Sequence, residues 1–592
     1  MQNKGRDIAV KGIQIVLIGL TFLAFVKGIW ISLDIDESYA VACAYRMVRG
    51  DRLIRDMWEP HQLSAFLAAL FAAPYILIRG NTDYLVIYLR IVGVLIHTGM
   101  GAALYRQLRK NTDRFFAFCI MILHLNFLPK WVQTPEFELM HYWCLLGIFL
   151  VLYTYFMGEK PRRFLPFLGG CLLTGSILCY PTMILLYPFY IFAICLLERQ
   201  RHKGRGRKMW TGGCFFTLGA FLSGTAFLIC LLSYMPPDEL VRYISYIFMD
   251  TSHSAYTMGE KWTIYLQQMR EQAESYGRYF LLAAGLILVV CLVYFIAWRR
   301  MKKRAWPVVA AVLMLTALLM QVKGVYGFLF EDKNQFFFQV RYMAIMLPAM
   351  LLGVRFHRRM AVWFYLCVIP GFVSVVAVLF VTNMDTNTTY AKAFLGVLGS
   401  LLIFYQYSRE VIEDAFWKKV FWALQYILGG MVLVGFLICR LVLIRVSGCL
   451  PVTVRASLEK MESGPEKGVY VLADTAEIWN DNYRELENYV DKGDKVLYIG
   501  AENLVYVKLE ALPATPSTQG TTVYNEMFLR YYEEHPDRVP NVIVYDKSFG
   551  ENPVYGMSYI FSLQNPEFFR WIEENYRDAQ IIETDHMVIL RQ

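Results

Sequence analysis

Charged residues are scarce in this sequence. They make up 18% of the 592 residues, whereas hydrophobic residues make up 57%. This composition excludes an ordinary soluble protein of this length. Apolar runs of about 20 residues, the length that spans a bilayer, recur between residues 12 and 445. The sequence therefore predicts a polytopic α-helical membrane protein. The remaining stretch, 446–592, has an ordinary composition and predicts a separate soluble domain.

Motifs that would indicate a metal, redox or nucleotide site are also missing. The twelve cysteines lie mostly inside apolar runs, none follows Cys449, and no CxxC or Cys/His ligand spacing occurs. We interpret them as small buried hydrophobic residues. The C-terminal stretch contains neither a glycine-rich phosphate loop nor a nucleophile elbow. Inverted repeats, which would indicate a secondary transporter, are not visible in the sequence.

Basic residues occur in short bursts between the apolar runs. The formal net charge is +9, but this clustering indicates membrane topology rather than nucleic-acid binding, because cytoplasmic loops carry the excess of Lys and Arg. We assign to the cytoplasm the basic head and the bursts at 106–114, 158–163, 199–208, 299–304 and 355–359. An even number of crossings must then separate the head from the first burst.

Three apolar segments lie in that interval, so one of them does not cross the membrane. The segment 62–79 is the shortest, contains Pro74 and follows a polar cluster. We interpret it as a juxtamembrane or re-entrant helix. The first apolar run is too long for a signal-peptide core and is interpreted as an uncleaved first helix. The prediction is about 13 transmembrane helices, at 12–33, 84–105, 114–130, 141–157, 164–180, 182–198, 211–234, 279–298, 306–322, 342–354, 361–381, 391–407 and 419–445.

These spans predict a transmembrane domain at 1–445 with a cytoplasmic N-terminus and an outer loop at 34–83. The C-terminal domain, 446–592, is then extracytoplasmic. Short β-rich runs and one helical pattern predict that it is a small α/β domain with a scaffold or docking role. The β-rich runs are at 468–473, 495–499, 541–545 and 586–591, and the helical pattern is at 565–576.

Polar residues concentrate in the outer loop 34–83. Asp36 and Glu37 follow the first span directly. They are either a solvated helix end, or a general base or metal ligand at the membrane surface, because an apolar boundary raises the proton affinity of a carboxylate. Glu59 and His61 come just before the helix at 62–79. We expect a polar pocket beside lipid there, unless His61 is an ordinary loop histidine.

Two further polar groups fall on the same predicted side of the membrane. Glu136 and Glu138 precede the span at 141–157, either as site residues or as a helix N-terminal cap. Lys323 and Arg341 lie at the ends of later spans, where an arginine either snorkels or binds a lipid phosphate with its planar fork. Four other residues near helix ends are interpreted as structural or snorkelling, namely Lys27, Arg90, His97 and His124.

This combination resembles the GT-C glycosyltransferases, and within them the family-39-like branch of protein O-mannosyltransferases and aminoarabinose transferases. Five features carry the resemblance: Asp36-Glu37 after the first span, SYAVACAYRMVRGD, DMWEPHQLSAFLAAL, the acids in TPEFE, and Arg341-Tyr342 in VRYMAIMLP. Thirteen spans followed by an outer domain are similar to the aminoarabinose-transferase architecture. The sequence departs from the family in having Glu-Pro-His-Gln where members have His-Pro-Pro or Lys-Pro-Pro, and Glu instead of Asp in the second loop.

The resemblance implies a plasma-membrane glycosyltransferase. Such an enzyme moves a sugar from a polyprenyl-phosphate donor to a hydroxyl of a lipid, glycan or protein acceptor on the extracytoplasmic side, with inversion. The other partners expected are membrane lipids, and no nucleic acid. Two alternatives stay open at this point. One is a transporter or flippase of lipid-linked precursors, and the other is a polymerase or ligase of surface polysaccharide.

The resemblance also implies roles for individual residues. Asp36 would be the base, with Glu37 beside it, and Arg341 would face the lipid phosphate, with Lys323 as a weaker candidate. The remaining residues expected to bind substrate are Glu59, His61, Glu136, Glu138 and Tyr342. No cofactor is implied with certainty, and a divalent cation bridging Glu37 or Glu136 to the phosphate is left open.

Overall fold

The computed structural model describes most of the chain from Gln2 to Gln592. Outside this description lie residues 60, 159–161, 202–209, 248–255, 280, 283–284, 286–288, 290–304, 331–336, 354–357, 382–388, 445–451, 501, 520–524 and 548–565. The span predicted at 279–298 falls almost entirely on these residues. The predicted boundary between the two domains also falls among them.

Helices form the chain up to residue 442. In chain order they are α1 Gln2–Trp30, α2 Ile35–Val48, α3 Gln62–Arg79, α4 Leu85–Leu108, α5 Arg114–Asn126, α6 Phe137–Met157, α7 Phe164–Cys179, α8 Leu186–Arg201, α9 Thr211–Leu232, α10 Pro237–Ile247, α11 Met258–Ser275, α12 Ala305–Phe330, α13 Gln339–Gly353, α14 Arg358–Trp363, α15 Ile369–Val381, α16 Phe394–Glu410 and α17 Ala415–Val442. A π-helical turn, Phe364–Val368, joins α14 to α15. Short 3-10 turns lie at Pro129–Trp131, Pro181–Leu185 and Thr389–Ala393.

The protein is a multi-pass membrane protein. Within the described residues, nine helices, α3 among them, are long and apolar enough to cross a bilayer, and three shorter apolar helices lie at Arg114–Asn126, Phe164–Cys179 and Gln339–Leu352. The predicted spans coincide with observed helices wherever the structure describes them, but the count of 13 stays a prediction. Helices also form between predicted spans, namely α2 in the outer loop 34–83, and α10 and α11 between the spans at 211–234 and 279–298. These helices are less apolar than the spans, so a search for long apolar runs does not detect them.

Acidic side chains cap several helices at their N-termini. Asp34 caps α2, where its Oδ1 accepts a hydrogen bond from the amide of Asp36 at 3.0 Å. Asp113 caps α5, and Asp414 caps α17. These carboxylates accept hydrogen bonds from amide groups that a helix leaves without partners, and their negative charge interacts favourably with the positive end of the helix dipole. The caps fix where the helices begin on both sides of the bundle.

The helix α3 begins and ends at one end of the bundle. At its start, His61 stacks on Phe137, the first residue of α6. Just after its end, the Thr82 hydroxyl donates to the carbonyl of Val507 in the C-terminal region at 2.9 Å. Because the C-terminal region also contacts the start of α4, this arrangement favours a helix that lies along the membrane surface. That location of 62–79 stays a prediction.

The C-terminal region contains nine short strands and four helices among its described residues. The strands are β1 Leu443–Ile444, β2 Val452–Thr453, β3 Leu458–Lys460, β4 Tyr470–Leu472, β5 Lys495–Ile499, β6 Leu512–Pro513, β7 Val542–Asp546, β8 Gln580–Glu583 and β9 Met587–Arg591. The helices are α18 Ala473–Leu486, α19 Val505–Leu509, α20 Asn525–Glu534 and α21 Pro566–Asn575. Five strands form one mixed sheet in the order β6-β5-β7-β9-β8, in which β5 is parallel to β6 and β7. The four predicted strands are confirmed.

This sheet region packs onto the loops at one end of the helix bundle. The amide of Ser32, after α1, donates to the carbonyl of Tyr470 at 2.9 Å, and the amide of Trp58 donates to the carbonyl of Pro516 at 2.8 Å. The Nδ2 of Asn503 reaches the carbonyl of Ile35 at 3.4 Å. The C-terminal region therefore covers the start of α2, where Asp36 and Glu37 lie.

Candidate functional site

The loop between α5 and α6 carries backbone strain. Lys130 and Trp131 have φ angles of 50° and 61°, in the left-handed region that a residue with a Cβ rarely adopts. The loop is held by α4, because a Cβ at Gly93 would lie only 1.8 Å from the carbonyl oxygen of Gln133. Strain of this kind persists where the surroundings impose it, and it is concentrated at functional sites. Here it directs Lys130 toward α2 and α6.

Lys130 joins the two acidic groups that the sequence singles out. Its amine pairs with Oδ2 of Asp36, and it lies 3.7 Å from Oε1 of Glu138. The amine also lies 4.8 Å from the ring centroid of Phe137. Burial alone would lower the pKa of Lys130, but the carboxylates of Asp36 and Glu138 outweigh it and raise the pKa. Lys130 is therefore a permanent cation between two carboxylates.

Asp36 is the accessible member of this group. Its side chain is 25% exposed, whereas that of Glu138 is 1% exposed. Glu138 is held from its other side by Lys392, whose amine is 3.4 Å from Oε1, and by the Tyr180 hydroxyl, which donates to Oε1 at 2.9 Å. A substrate can therefore reach Asp36, while Glu138 holds the surrounding cations in position.

His61 completes this site. Its ring lies parallel to the Phe137 ring at a centroid distance of 4.0 Å, and edge-on to the Tyr180 ring at 5.3 Å. Burial, together with the nearby charges of Lys130 and Lys392, lowers the pKa of His61 to about 4. The imidazole is therefore neutral at physiological pH. Its Nδ1 has no hydrogen-bond partner within the described part of the chain.

Glu136 serves as the N-terminal cap of α6. Its two carboxylate oxygens accept hydrogen bonds from the amides of Glu138 and Leu139, at 2.7 and 2.6 Å. Burial and the neighbouring Glu138 carboxylate raise the pKa of Glu136, against the opposing effects of Lys130 and the two amides. Of the two roles that the sequence leaves open for Glu136, these contacts match the helix cap.

Glu37 lies next to Asp36 but faces another partner. Both of its oxygens accept from Arg90 of α4, Nε to Oε1 at 2.7 Å and Nη2 to Oε2 at 2.5 Å, and Thr134 also donates to Oε1. The same guanidinium donates to the carbonyls of Ile29 and Ser32. This buried bidentate pair holds α2, α4 and the end of α1 together. A role of Glu37 in positioning Asp36 therefore fits these contacts better than a role in binding substrate.

Glu59 belongs to a separate buried network. It accepts from Nη1 of Arg46 at 3.1 Å, and Arg46 also pairs with Asp51 at 2.7 Å. Asp51 in turn pairs with Arg538 of the C-terminal region at 2.7 Å. The contacts of Glu59 thus connect the outer loop to the C-terminal region, and none of its contacts within the described residues reaches Asp36 or Lys130.

Arg341 and Tyr342 begin α13 at the same end of the bundle. Nη2 of Arg341 donates to Oε1 of Gln321 on α12 at 2.7 Å. The Tyr342 ring lies 5.5 Å from that of Tyr390, two residues before Lys392. Tyr342 therefore contacts the segment that carries Lys392. Lys323, also on α12, lies over the Tyr326 ring at 5.6 Å.

A metal site is not preformed in the part of the chain that the structure describes. No group of three or more His, Cys, Asp or Glu side chains has an arrangement that could hold an ion there. The carboxylates of Asp36 and Glu138 are instead paired with lysines. The residues present thus do not form the ligand set that a resident divalent cation would require.

Sequence reasoning missed two central cations, Lys130 and Lys392. Each lies in a short 3-10 turn, where neither periodicity nor a motif identifies it. Tyr180, at the end of α7, was likewise not predicted. A search for isolated lysines beside predicted spans on the outer side would have found Lys130 and Lys392. By contrast, the pair His97 and His124 matches its predicted structural role, because both rings donate to each other's backbone carbonyls.

Comparisons with known proteins were made for the whole chain. No family model and no curated protein sequence matches it. Among solved structures, it is similar to an oligosaccharyltransferase from Archaeoglobus fulgidus crystallised with Zn and sulfate, with a TM-score of 0.43, 12% identity, and coverage of 96% of this chain and 71% of that chain. It is also similar to ArnT from Cupriavidus metallidurans bound to undecaprenyl phosphate, with a TM-score of 0.40, 10% identity and 98% coverage of each chain.

Both proteins are GT-C glycosyltransferases, the class that the sequence resembles. A third similar structure is the archaeal oligosaccharyltransferase AglB from Archaeoglobus fulgidus in complex with an inhibitory peptide and a dolichol-phosphate, with a TM-score of 0.43, 12% identity, and coverage of 96% and 73%. With TM-scores below 0.5, these similarities assign no activity to this chain. The reaction has to be argued from the side chains.

Proposed function

We propose that this protein is an integral membrane glycosyltransferase that moves a sugar from a polyprenyl-phosphate donor to an acceptor hydroxyl, with inversion, at the extracytoplasmic surface. One observation carries the proposal. The accessible carboxylate of Asp36 lies beside a partly buried cation, Lys130, at the end of the helix bundle that the C-terminal region covers. A base next to a cation is what such a transfer requires, because one group accepts a proton while the other faces a phosphate that gains charge.

The proposed chemistry is a single displacement. The acceptor hydroxyl gives its proton to the Asp36 carboxylate, and its oxygen forms a bond to the anomeric carbon of the sugar. The bond between that carbon and the donor phosphate breaks, and the electron pair leaves with the phosphate. Lys130, with Lys392 further back, faces the departing charge, and donation from Lys130 to the phosphate would free Asp36 from its ion pair.

The surrounding residues hold this arrangement in place. Glu138 keeps both lysines close, and the Glu37–Arg90 pair fixes the start of α2. His61 and Tyr180 form an aromatic wall that fits the apolar face of a sugar ring. Arg341 is held by Gln321 on α12 and is assigned no direct contact with the phosphate. Lys323 and Glu59 are assigned no role in the reaction.

The test is transfer from a labelled polyprenyl-phosphate sugar by the purified protein. We expect Asp36→Asn to lower the rate by about 10²–10⁴-fold, the usual contribution of a positioned base, with unchanged thermal stability. Glu462→Gln, which removes an exposed carboxylate paired with Arg484, is the matched control and should transfer normally. Glu37→Gln should instead destabilise the protein, because it breaks a buried ion pair.

Product analysis separates this function from the alternatives. One added sugar on the acceptor supports the proposal, a polymer favours the polymerase alternative, and a relocated but unmodified lipid favours a flippase. Normal transfer by Asp36→Asn would exclude Asp36 as the base.

A further inference from the structure

A pocket rich in basic residues lies next to the candidate site, between the C-terminal ends of α1 and α17. Four cations line it, Lys27, Arg90, Lys130 and Arg440, together with the acids Asp34 and Glu37. Lys130 belongs to both the pocket and the candidate site, because its amine pairs with Asp36. The pocket therefore opens beside the proposed base.

Two of these cations have no carboxylate partner. Arg90 pairs with Glu37 and Lys130 pairs with Asp36. Within the described part of the chain, neither Lys27 nor Arg440 forms an ion pair. The amine of Lys27 donates to the carbonyl of Arg440 at 2.8 Å and to that of Leu443, both at the end of α17.

Arg440 is the more deeply buried of the pair, at 4% exposure. Its Nη1 donates to the carbonyl of Leu125 at 2.9 Å and to Oδ1 of Asn126 at 3.3 Å, at the end of α5. Its Nη2 has no hydrogen-bond partner among the described residues. A buried guanidinium with an unused donor is costly unless an anion compensates it.

The ligand that fits this pocket is a phosphate group carried by a lipid. A planar guanidinium and an ammonium group together match the oxygens of a phosphate, which can accept hydrogen bonds from both. The pocket lies where α1 ends, and α1 exposes a row of apolar side chains along its length, including Ile18, Phe22 and Val26. An acyl or prenyl chain can lie against that row while its phosphate reaches the pocket.

We propose that Lys27 and Arg440 form a binding site for the phosphate group of a membrane lipid. The identification of this lipid as the sugar donor rests on the proposed function. The phosphate site itself does not depend on it. The phosphate would then lie between Arg440 and Lys130, so the bond to the sugar faces Asp36. This assigns the phosphate to residues at the ends of the first and last helices of the bundle, whereas the sequence resemblance implies Arg341.

The experiment is a binding measurement on the full-length protein in detergent. A radiolabelled short-chain polyprenyl phosphate is the probe, and unlabelled phosphatidylglycerol and inorganic phosphate are the competitors. We expect Lys27→Gln and Arg440→Gln each to weaken binding by about 10- to 100-fold, the value of a charge-assisted hydrogen bond expressed as an affinity ratio. Arg484→Gln, which removes an exposed cation of the C-terminal region, should bind as the wild type does.

Since Arg440 also contacts the end of α5, Arg440→Lys is included to preserve the charge, and thermal unfolding is measured for every variant. Arg440→Lys should retain part of the affinity. Competition by phosphatidylglycerol as strong as that by polyprenyl phosphate identifies an ordinary phospholipid as the occupant, and competition by inorganic phosphate alone identifies a free phosphate. Unchanged binding by a folded Lys27→Gln/Arg440→Gln double variant overturns the proposal.

The two proposals fail in distinguishable ways. Asp36→Asn should bind the probe normally but not transfer sugar, so loss of transfer with intact binding concerns the reaction alone. If the double variant binds and transfers normally, the phosphate site is wrong and the glycosyltransferase stands. If the probe binds at this site but no sugar is ever transferred, the site stands and the proposed function is wrong.

Discussion

At the scale of single residues, the main feature of the site is a set of ion pairs in which two lysines contact the same carboxylate. Lys130 contacts both Asp36 and Glu138, and Lys392 contacts Glu138. These lysines surround His61, which lies on the Phe137 ring and whose pKa is about 4. Burial is the main reason why the imidazole is neutral, and the charges of Lys130 and Lys392, which we propose to act on the donor phosphate, lower its pKa further.

The pKa of His61 predicts a pH dependence of stability. The folded protein leaves His61 neutral down to about pH 4, whereas the unfolded chain protonates it below about pH 6.5. Protonation therefore favours unfolding as the pH falls from 6.5 to 4, by about 3 kcal/mol over the whole interval. We expect His61→Phe, which preserves the ring stacking, to melt with a shallower pH dependence than the wild type.

Thermal unfolding at pH 7.5 and pH 4.5 measures this difference. His586→Phe, a histidine outside the site, is the control and should follow the wild-type profile. If the melting temperature of His61→Phe falls between pH 7.5 and pH 4.5 as much as that of the wild type, protonation of His61 does not cause the loss of stability.

At the scale of elements, the loop between α5 and α6 positions the site. It is packed against α4 so tightly that Gly93 has no room for a side chain beside the carbonyl of Gln133. The loop also supplies Lys130, Glu136 and Thr134, which contact Asp36, the start of α6 and Glu37. Moving this one loop would therefore disturb both ion pairs of Lys130.

The substitution Gly93→Ala tests the packing of this loop. Its Cβ would lie 1.8 Å from the Gln133 oxygen, and such overpacking typically costs about 1–3 kcal/mol. We expect a lower melting temperature and weaker transfer. Gly99→Ala, on the same helix but with nothing within 4 Å of its Cβ, should leave both unchanged or slightly raise stability. Equal effects of the two substitutions would contradict the role of the loop.

The sequence predicted the helices well because long apolar runs determine them directly. It also selected Asp36 and Glu138 as candidates, since acids next to spans are conspicuous, and both lie beside Lys130. It could not find Lys130 or Lys392, because their importance comes from contacts to residues 94 and 254 positions away. Nor could it separate Asp36 from Glu37, two adjacent carboxylates of which only Glu37 faces Arg90. The local sequence pattern does not show which residues contact one another in the folded protein.

At the scale of the whole molecule, the bundle has two different ends. The C-terminal region contacts the end where α1 finishes and α4 begins. The turn between α4 and α5, which carries a basic burst, lies at the other end, where the amide of Asp113 donates to the hydroxyl of Tyr405. The candidate site and the C-terminal region thus lie at the end opposite this basic burst, and their extracytoplasmic location stays a prediction.

Labelling of intact cells with a membrane-impermeant maleimide tests that topology. In a background without native cysteines, we expect Arg49→Cys, exposed at the end of α2, to be labelled from outside. Lys110→Cys, exposed at the turn between α4 and α5, should be labelled only after the cells are opened. The reverse pattern would place the site in the cytoplasm and exclude transfer at the outer surface.

The most direct test of the central claim is an experimental structure of the protein with a polyprenyl phosphate bound. The account predicts the phosphate within hydrogen-bond distance, about 3 Å, of Lys130, with the Asp36 carboxylate facing the position of the sugar. A phosphate bound at the other end of the bundle, or one separated from Asp36 by packed protein, would contradict the assignment of this protein as a polyprenyl-phosphate-dependent glycosyltransferase.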